Sequence, residues 1–69
     1  MTNNIKVIRE RLGLSRVEFA KRIGMAYSTI CNYEYENKSP RVQTCYRIIK
    51  LAKEFNINIS MEDIRPPLD

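Results

Sequence analysis

The sequence predicts an all-α fold of five short helices, and three observations carry that expectation. Apolar residues recur at spacings of three and four in four successive segments. Helix-capping or helix-breaking residues bound those segments. The one stretch with strand-like alternation, Asn-Ile-Asn-Ile at 56–59, has four residues and cannot build a sheet.

The first helix rests on Ile5, Ile8 and Leu12, with Asn3 or Asn4 available as a cap and Gly13 as the stop. It should run two to three turns. The second begins at Ser15, whose spacing to Glu18 is that of a capping box, each side chain satisfying an orphan amide of the first turn. Phe19, Ala20 and Ile23 line one face, and Gly24 offers a left-handed exit.

Gly24-Met25-Ala26 leaves room only for a tight turn before the third helix. There Ile30, Tyr33 and Glu34 share one face, while Ser28, Thr29, Asn32 and Tyr35 point largely the other way. Asn37-Lys38-Ser39-Pro40 breaks the chain. Val42, Cys45, Tyr46, Ile49 and Ala52, widened by Ile48, Leu51 and Phe55, predict a fourth helix of roughly 14 residues. Tyr33 and Tyr46 are expected in the core, since aromatics at helical spacing usually pack. Ser60 and Asp63 cap a fifth, short helix that Pro66 and Pro67 terminate.

A chain of 69 residues makes a single domain, 1–69, near the lower limit for folding without staples. Its charge is uneven. Residues 1–53 carry eleven Lys and Arg against four Glu, whereas residues 54–69 carry Arg65 against Glu54, Glu62, Asp63 and Asp69. A basic body attracts polyanions, nucleic acid first, and the acidic tail, about 65–69, should sit away from them.

Cys31 and Cys45 are the only cysteines and the chain has no histidine, so no tetrahedral zinc site can form and a reduced, cytoplasmic chain is the simpler reading. Both cysteines suit small core or half-buried positions. No signal peptide and no apolar run near 18 residues appears, which excludes a spanning segment. Catalysis has little support, because neither thiol has a neighbouring base along the chain. No cofactor, metal or small-molecule ligand is expected.

Two short helices joined by a glycine-containing tight turn form a helix-turn-helix, here about residues 15–36. The stretch LSRVEFAKRIGMAYSTICNYEYENKSP resembles the helix-turn-helix of the lambda-repressor and Cro (XRE-type) family, with Leu14, Ser15, Ala20, Gly24, Ile30, Glu34 and Pro40 at the family's offsets. The resemblance extends over roughly residues 4–64. It implies a compact five-helix DNA-binding domain whose third helix enters the major groove of double-stranded DNA.

By that resemblance Tyr27, Ser28 and Asn32 occupy base-reading positions, with Thr29 between them. An Asn32 amide can pair bidentately with adenine, and Tyr27 can meet a phosphate or a thymine methyl. Arg16, Tyr35, Asn37, Lys38 and Arg41 stand where phosphates are gripped, Arg16 where the family usually has glutamine. Cations flank a neutral reading helix because phosphates take the charge while bases are read by hydrogen bonds.

The family pattern also offers Arg9 as a structural ion-pair partner for Glu34. Two departures stand out. Glu36 replaces the usual glycine, passing the left-handed position to Asn37, and Ala26 replaces the capping serine or threonine at an expected loss of ~1 kcal/mol. The resemblance implies a repressor that binds a palindromic operator as a homodimer. Ile57, Ile59, Met61 and Ile64, with Leu68, offer an apolar surface near the C-terminus that either joins two copies or caps one copy's core. The alternative reading is a protein-binding helix-turn-helix module, antitoxin-like or adaptor-like, with weak or non-specific DNA binding, and a further rival is a domain that binds nucleic acid without sequence preference.

Overall fold

The computed structural model describes residues 3–36 and 38–66, and among them every regular element is helical. The order is α1 (Ile5–Arg11), α2 (Arg16–Ile23), α3 (Tyr27–Glu36), α4 (Val42–Glu54) and α5 (Met61–Ile64). Helix α2 packs on α3 and α4, α1 packs on α3, and α5 closes against α4.

One core joins all five. Ile5 and Ile8 of α1, Phe19 and Ile23 of α2, Ile30 of α3, Ile48 and Leu51 of α4 and Ile64 of α5 are buried together. Each such side chain contributes roughly 1.5–3 kcal/mol of transfer free energy. In a chain this short, that shared burial, rather than the propensity of any one helix, makes the helices stable.

Three helices end in the same way. A left-handed residue follows the last turn, and the next amide reaches back to a carbonyl one turn earlier. Gly13 (φ +71°) follows α1, with the Leu14 amide on the Arg9 carbonyl at 3.3 Å. Gly24 (φ +68°) follows α2, with the Met25 amide on the Ala20 carbonyl at 2.9 Å. After α4 the position falls to Asn56 (φ +59°), and the Ile57 amide bonds the Ala52 carbonyl at 2.9 Å. The Asn-Ile-Asn-Ile stretch is therefore a helix terminator and its exit.

The helix starts are also specific. The Ser15–Glu18 capping box forms on both sides, with the Glu18 amide donating to Ser15 Oγ at 3.1 Å and the Ser15 amide to Glu18 Oε1 at 3.2 Å. Those bonds hold the Glu18 carboxyl below its ordinary range, the backbone bond from Ser15 being the larger cause. At α5 the Asp63 carboxylate accepts from the Ser60 amide at 2.8 Å. Of the two asparagines before α1, Asn3 supplies the side-chain acceptor, taking the Ile5 amide at 3.0 Å.

Three expectations need correction. Tyr46 is not core: it is 61% exposed, and Val42 one turn earlier is 45% exposed. The buried side of α4 centres on Cys45, Ile48 and Ala52, with Thr44 included, and positions 42 and 46 fall about 60° and 100° beyond its edge at Cys45. Ile64, one of the four dimer candidates, is fully buried in its own chain's core and has no surface to offer a second copy. Ile57, Ile59 and Met61 are partly buried against the same core.

Candidate nucleic-acid interface

The left-handed turn at Gly24 ends α2 and launches α3 from Ala26, whose carbonyl accepts from the Thr29 amide at 3.1 Å. Helix α3 then shows two unlike sides. Ile30 and Tyr33 are buried, whereas Ser28, Asn32 and Tyr35, spaced four and three apart, form one exposed stripe. Tyr27, half exposed, and Cys31 border the stripe on one edge, and half-buried Thr29 on the other. A hydrogen bond with the Cys31 thiol pushes the Tyr27 hydroxyl up from its ordinary value.

Behind the stripe sits the most constrained charge in the molecule. The Glu34 side chain is 1% exposed and accepts from two guanidinium groups, Arg9 Nε at 2.8 Å and Arg16 Nε at 3.0 Å. Arg9 Nη2 adds a 3.3 Å bond to the same carboxylate, and Arg9 Nη1 donates to the Leu14 carbonyl at 2.8 Å. One carboxylate thus ties α1, α2 and α3 together. A buried carboxylate needs such partners, because its desolvation is otherwise prohibitive.

Arg16 serves two surfaces. While Nε holds Glu34, its guanidinium carbon lies 5.0 Å from the centre of the Tyr35 ring, which is cation–π range. A guanidinium has five N–H donors, so a single commitment to Glu34 leaves others for an incoming anion. On the opposite flank, an open cleft of about 390 Å³ runs between α3 and the start of α4, lined by Thr29, Asn32, Lys38, Ser39, Arg41 and Thr44. Lys38 meets Glu36 at 3.2 Å with both side chains more than half exposed, a contact worth little in water. The neutral stripe of α3 is therefore bordered by Arg16 on one side and by Lys38 and Arg41 on the other. Asn37 lies outside the described residues, as does Leu68.

Two contributors escaped the sequence reading. Asn3 is buried, and its amide donates to the Tyr33 carbonyl at 2.9 Å and the Lys38 carbonyl at 2.7 Å. It fastens the end of α3 to the loop that carries the flanking cations. No local signal could reveal partners 30 and 35 residues away. Arg16 as a second partner for Glu34 was also missed, although an arginine in place of the family's glutamine was the available clue.

Among the described residues there is no group of His, Cys, Asp and Glu able to hold a metal ion. No helix there is long and apolar enough to cross a membrane.

Residues 5–61 match the helix-turn-helix family of lambda-repressor/Cro-like (XRE-type) domains, and the chain belongs to that family. It is thereby a DNA-binding helix-turn-helix regulator that takes double-stranded DNA. Against curated proteins the sequence finds no match.

Proposed function

We propose that the protein is a sequence-specific repressor of the Cro kind that binds a palindromic operator as a homodimer. Tyr27, Ser28, Asn32 and Thr29 read bases in the major groove, and Arg16, Tyr35, Asn37, Lys38 and Arg41 meet the phosphates. The observation that carries this reading is the neutral, exposed stripe of Ser28, Asn32 and Tyr35 with cations on both flanks. A duplex presents the complementary arrangement, with hydrogen-bonding base edges in the groove floor and phosphates along both rims.

Asn32 is the residue whose loss should speak most clearly. An amide pairing bidentately with adenine discriminates by ~1–3 kcal/mol, about 5- to 150-fold. Selection from a random duplex library at near-physiological salt, with wild type and Asn32→Ala, tests this. A two-fold symmetric site should emerge with wild type and relax at one base pair per half-site with the variant. No enrichment by a folded wild-type protein would defeat the reading in favour of a protein partner on this face.

A further inference from the structure

The inference concerns α4, away from the reading helix. At about 100° per residue, the exposed side of this helix spans two unlike strips. One carries Val42 and Tyr46, 45% and 61% exposed, with half-buried Ile49 beside them. The other carries Arg47 and Lys50, both exposed, while exposed Lys53 closes the C-terminal end of the first strip. An isolated surface tyrosine or valine needs no explanation. Here, however, two adjoin each other one turn apart and border a row of cations.

The basic strip continues onto α2. Lys21 and Arg22, with Arg47, Lys50 and Glu54, line an open cleft of about 440 Å³ between α2 and α4. Arg47 is held in place there, Nη1 donating to the Ile23 carbonyl at 3.0 Å. Glu54 is the only acid in that lining, and among the described residues neither its four cations nor Lys53, the fifth cation of this side, forms an ion pair with a carboxylate. Partial negative charge at the end of α2 accounts for a cation or two. It does not account for five, nor for an apolar strip beside them.

We infer that the outward side of α4 docks an acidic amphipathic helix of a partner protein, its apolar residues on Val42 and Tyr46 and its carboxylates on Arg47, Lys50, Lys53 and Lys21. Charge selects this occupant. A second copy presenting the same face would set cations against cations, a repulsive arrangement. A nucleic acid would satisfy the cations and leave Val42 and Tyr46 uncovered. An acidic helix with apolar residues at three- and four-residue spacing satisfies both strips.

The surface also clears the DNA. Thr44 borders the cleft beside Thr29 and Asn32, and Tyr46, two residues further, lies about 160° round the helix axis from it. A helix on Tyr46 can bind while α3 occupies a groove, so the partner would join the regulator on its operator without competing for it.

The test is a titration of the isotopically labelled full chain, followed by amide NMR. The probe is a synthetic 16-residue helical peptide with leucine at i, i+3, i+4 and i+7 and glutamate at most other positions. The same peptide with glutamine for glutamate is the control. The protein variants are Tyr46→Ser and Lys50→Glu, both at exposed positions and neither assigned to the DNA surface.

Shifts confined to residues 42–54 and 21–24, weakened about 10-fold or more by either variant and by the glutamine peptide, are the expected result, with duplex binding unchanged. Absence of shifts, shifts centred on 27–35, or affinity indifferent to both variants would overturn the proposal. So would displacement of the peptide by random-sequence duplex, which would give the strip to nucleic acid. Sedimentation showing a self-dimer dissolved by Tyr46→Ser would give it to a second copy. The readouts on α3 and on α4 are separate, so failure here leaves the operator reading intact.

Discussion

Replacing Arg9 with alanine should remove most of the stability of the domain. The side chain makes three bonds in the structure, two to Glu34 at 2.8 and 3.3 Å and one to the Leu14 carbonyl at 2.8 Å. Truncating one partner of a buried ion pair costs ~3–5 kcal/mol, because the other charge is left without compensation. Here Arg16 remains on Glu34, which pulls the cost toward the lower end. The orphaned Leu14 carbonyl adds ~1–3 kcal/mol in the other direction. About 3–5 kcal/mol is thus the expected loss. Total stability at ~0.05–0.15 kcal/mol per residue is roughly 3–10 kcal/mol for a chain of this length.

At ~4–8 °C per kcal/mol, the midpoint of thermal unfolding, followed by circular dichroism at helical wavelengths, should fall by at least about 12 °C. The drop should persist at high salt, since a pair this buried is little screened. Replacing both partners by apolar residues, Arg9→Met with Glu34→Leu, should recover part of the loss, because no buried charge is then abandoned. Arg16, with about a quarter of its side chain exposed, can turn to water. An unchanged midpoint in Arg9→Ala would refute the reasoning and show that Arg16 alone satisfies Glu34.

Other perturbations probe other parts of the fold. Asn3→Asp keeps the shape and loses both donors, setting a carboxylate against the Tyr33 and Lys38 carbonyls, and chemical denaturation should show a loss of ~2 kcal/mol or more. The Glu18 carboxyl titrates lower in the folded chain than its ordinary 4.5, so its contribution is present above that pH and disappears as pH falls through the lower, folded value. Glu18→Gln should therefore melt below wild type at neutral pH, with the gap narrowing on acidification below 4.5. Ile64→Ala should cost ~2–5 kcal/mol with a midpoint independent of protein concentration, as befits a core residue rather than an assembly contact.

Much of the architecture was legible because its causes are local. The capping box at Ser15 and the left-handed exits at Gly13 and Gly24 depend on residues within one turn of each other. The buried sides of α2 and α3 follow from short, unambiguous spacing. Helix α4 misled because its apolar residues cover more of the circumference than the core can bury. Which flank stays wet is decided by neighbouring helices, and Val42 and Tyr46 were left outside.

The exposed stripe of α3 followed from helical spacing, its assignment to bases rests on the resemblance, and its position between cations belongs to tertiary structure. Lys38 and Arg41 reach one flank through a loop. Arg16 reaches the other only because Glu34 draws it there. Thr44 and Pro40, both buried, carried no local sign of it.

The tie between the two ends of the domain has a consequence for how the protein comes into being on the ribosome. The Asn4 amide donates to the Ile64 carbonyl at 2.9 Å, and the Asn4 side chain to the Asp63 carbonyl at 2.9 Å, across nearly the full length of the fold. Contacts of such separation close late. A nascent chain that has released α1 to α4 still lacks the Ile64 plug and the anchor for its own first helix. The core is therefore complete only once α5 has emerged, and a translation product cut short before that point lacks both the Ile64 plug and the tie that anchors α1.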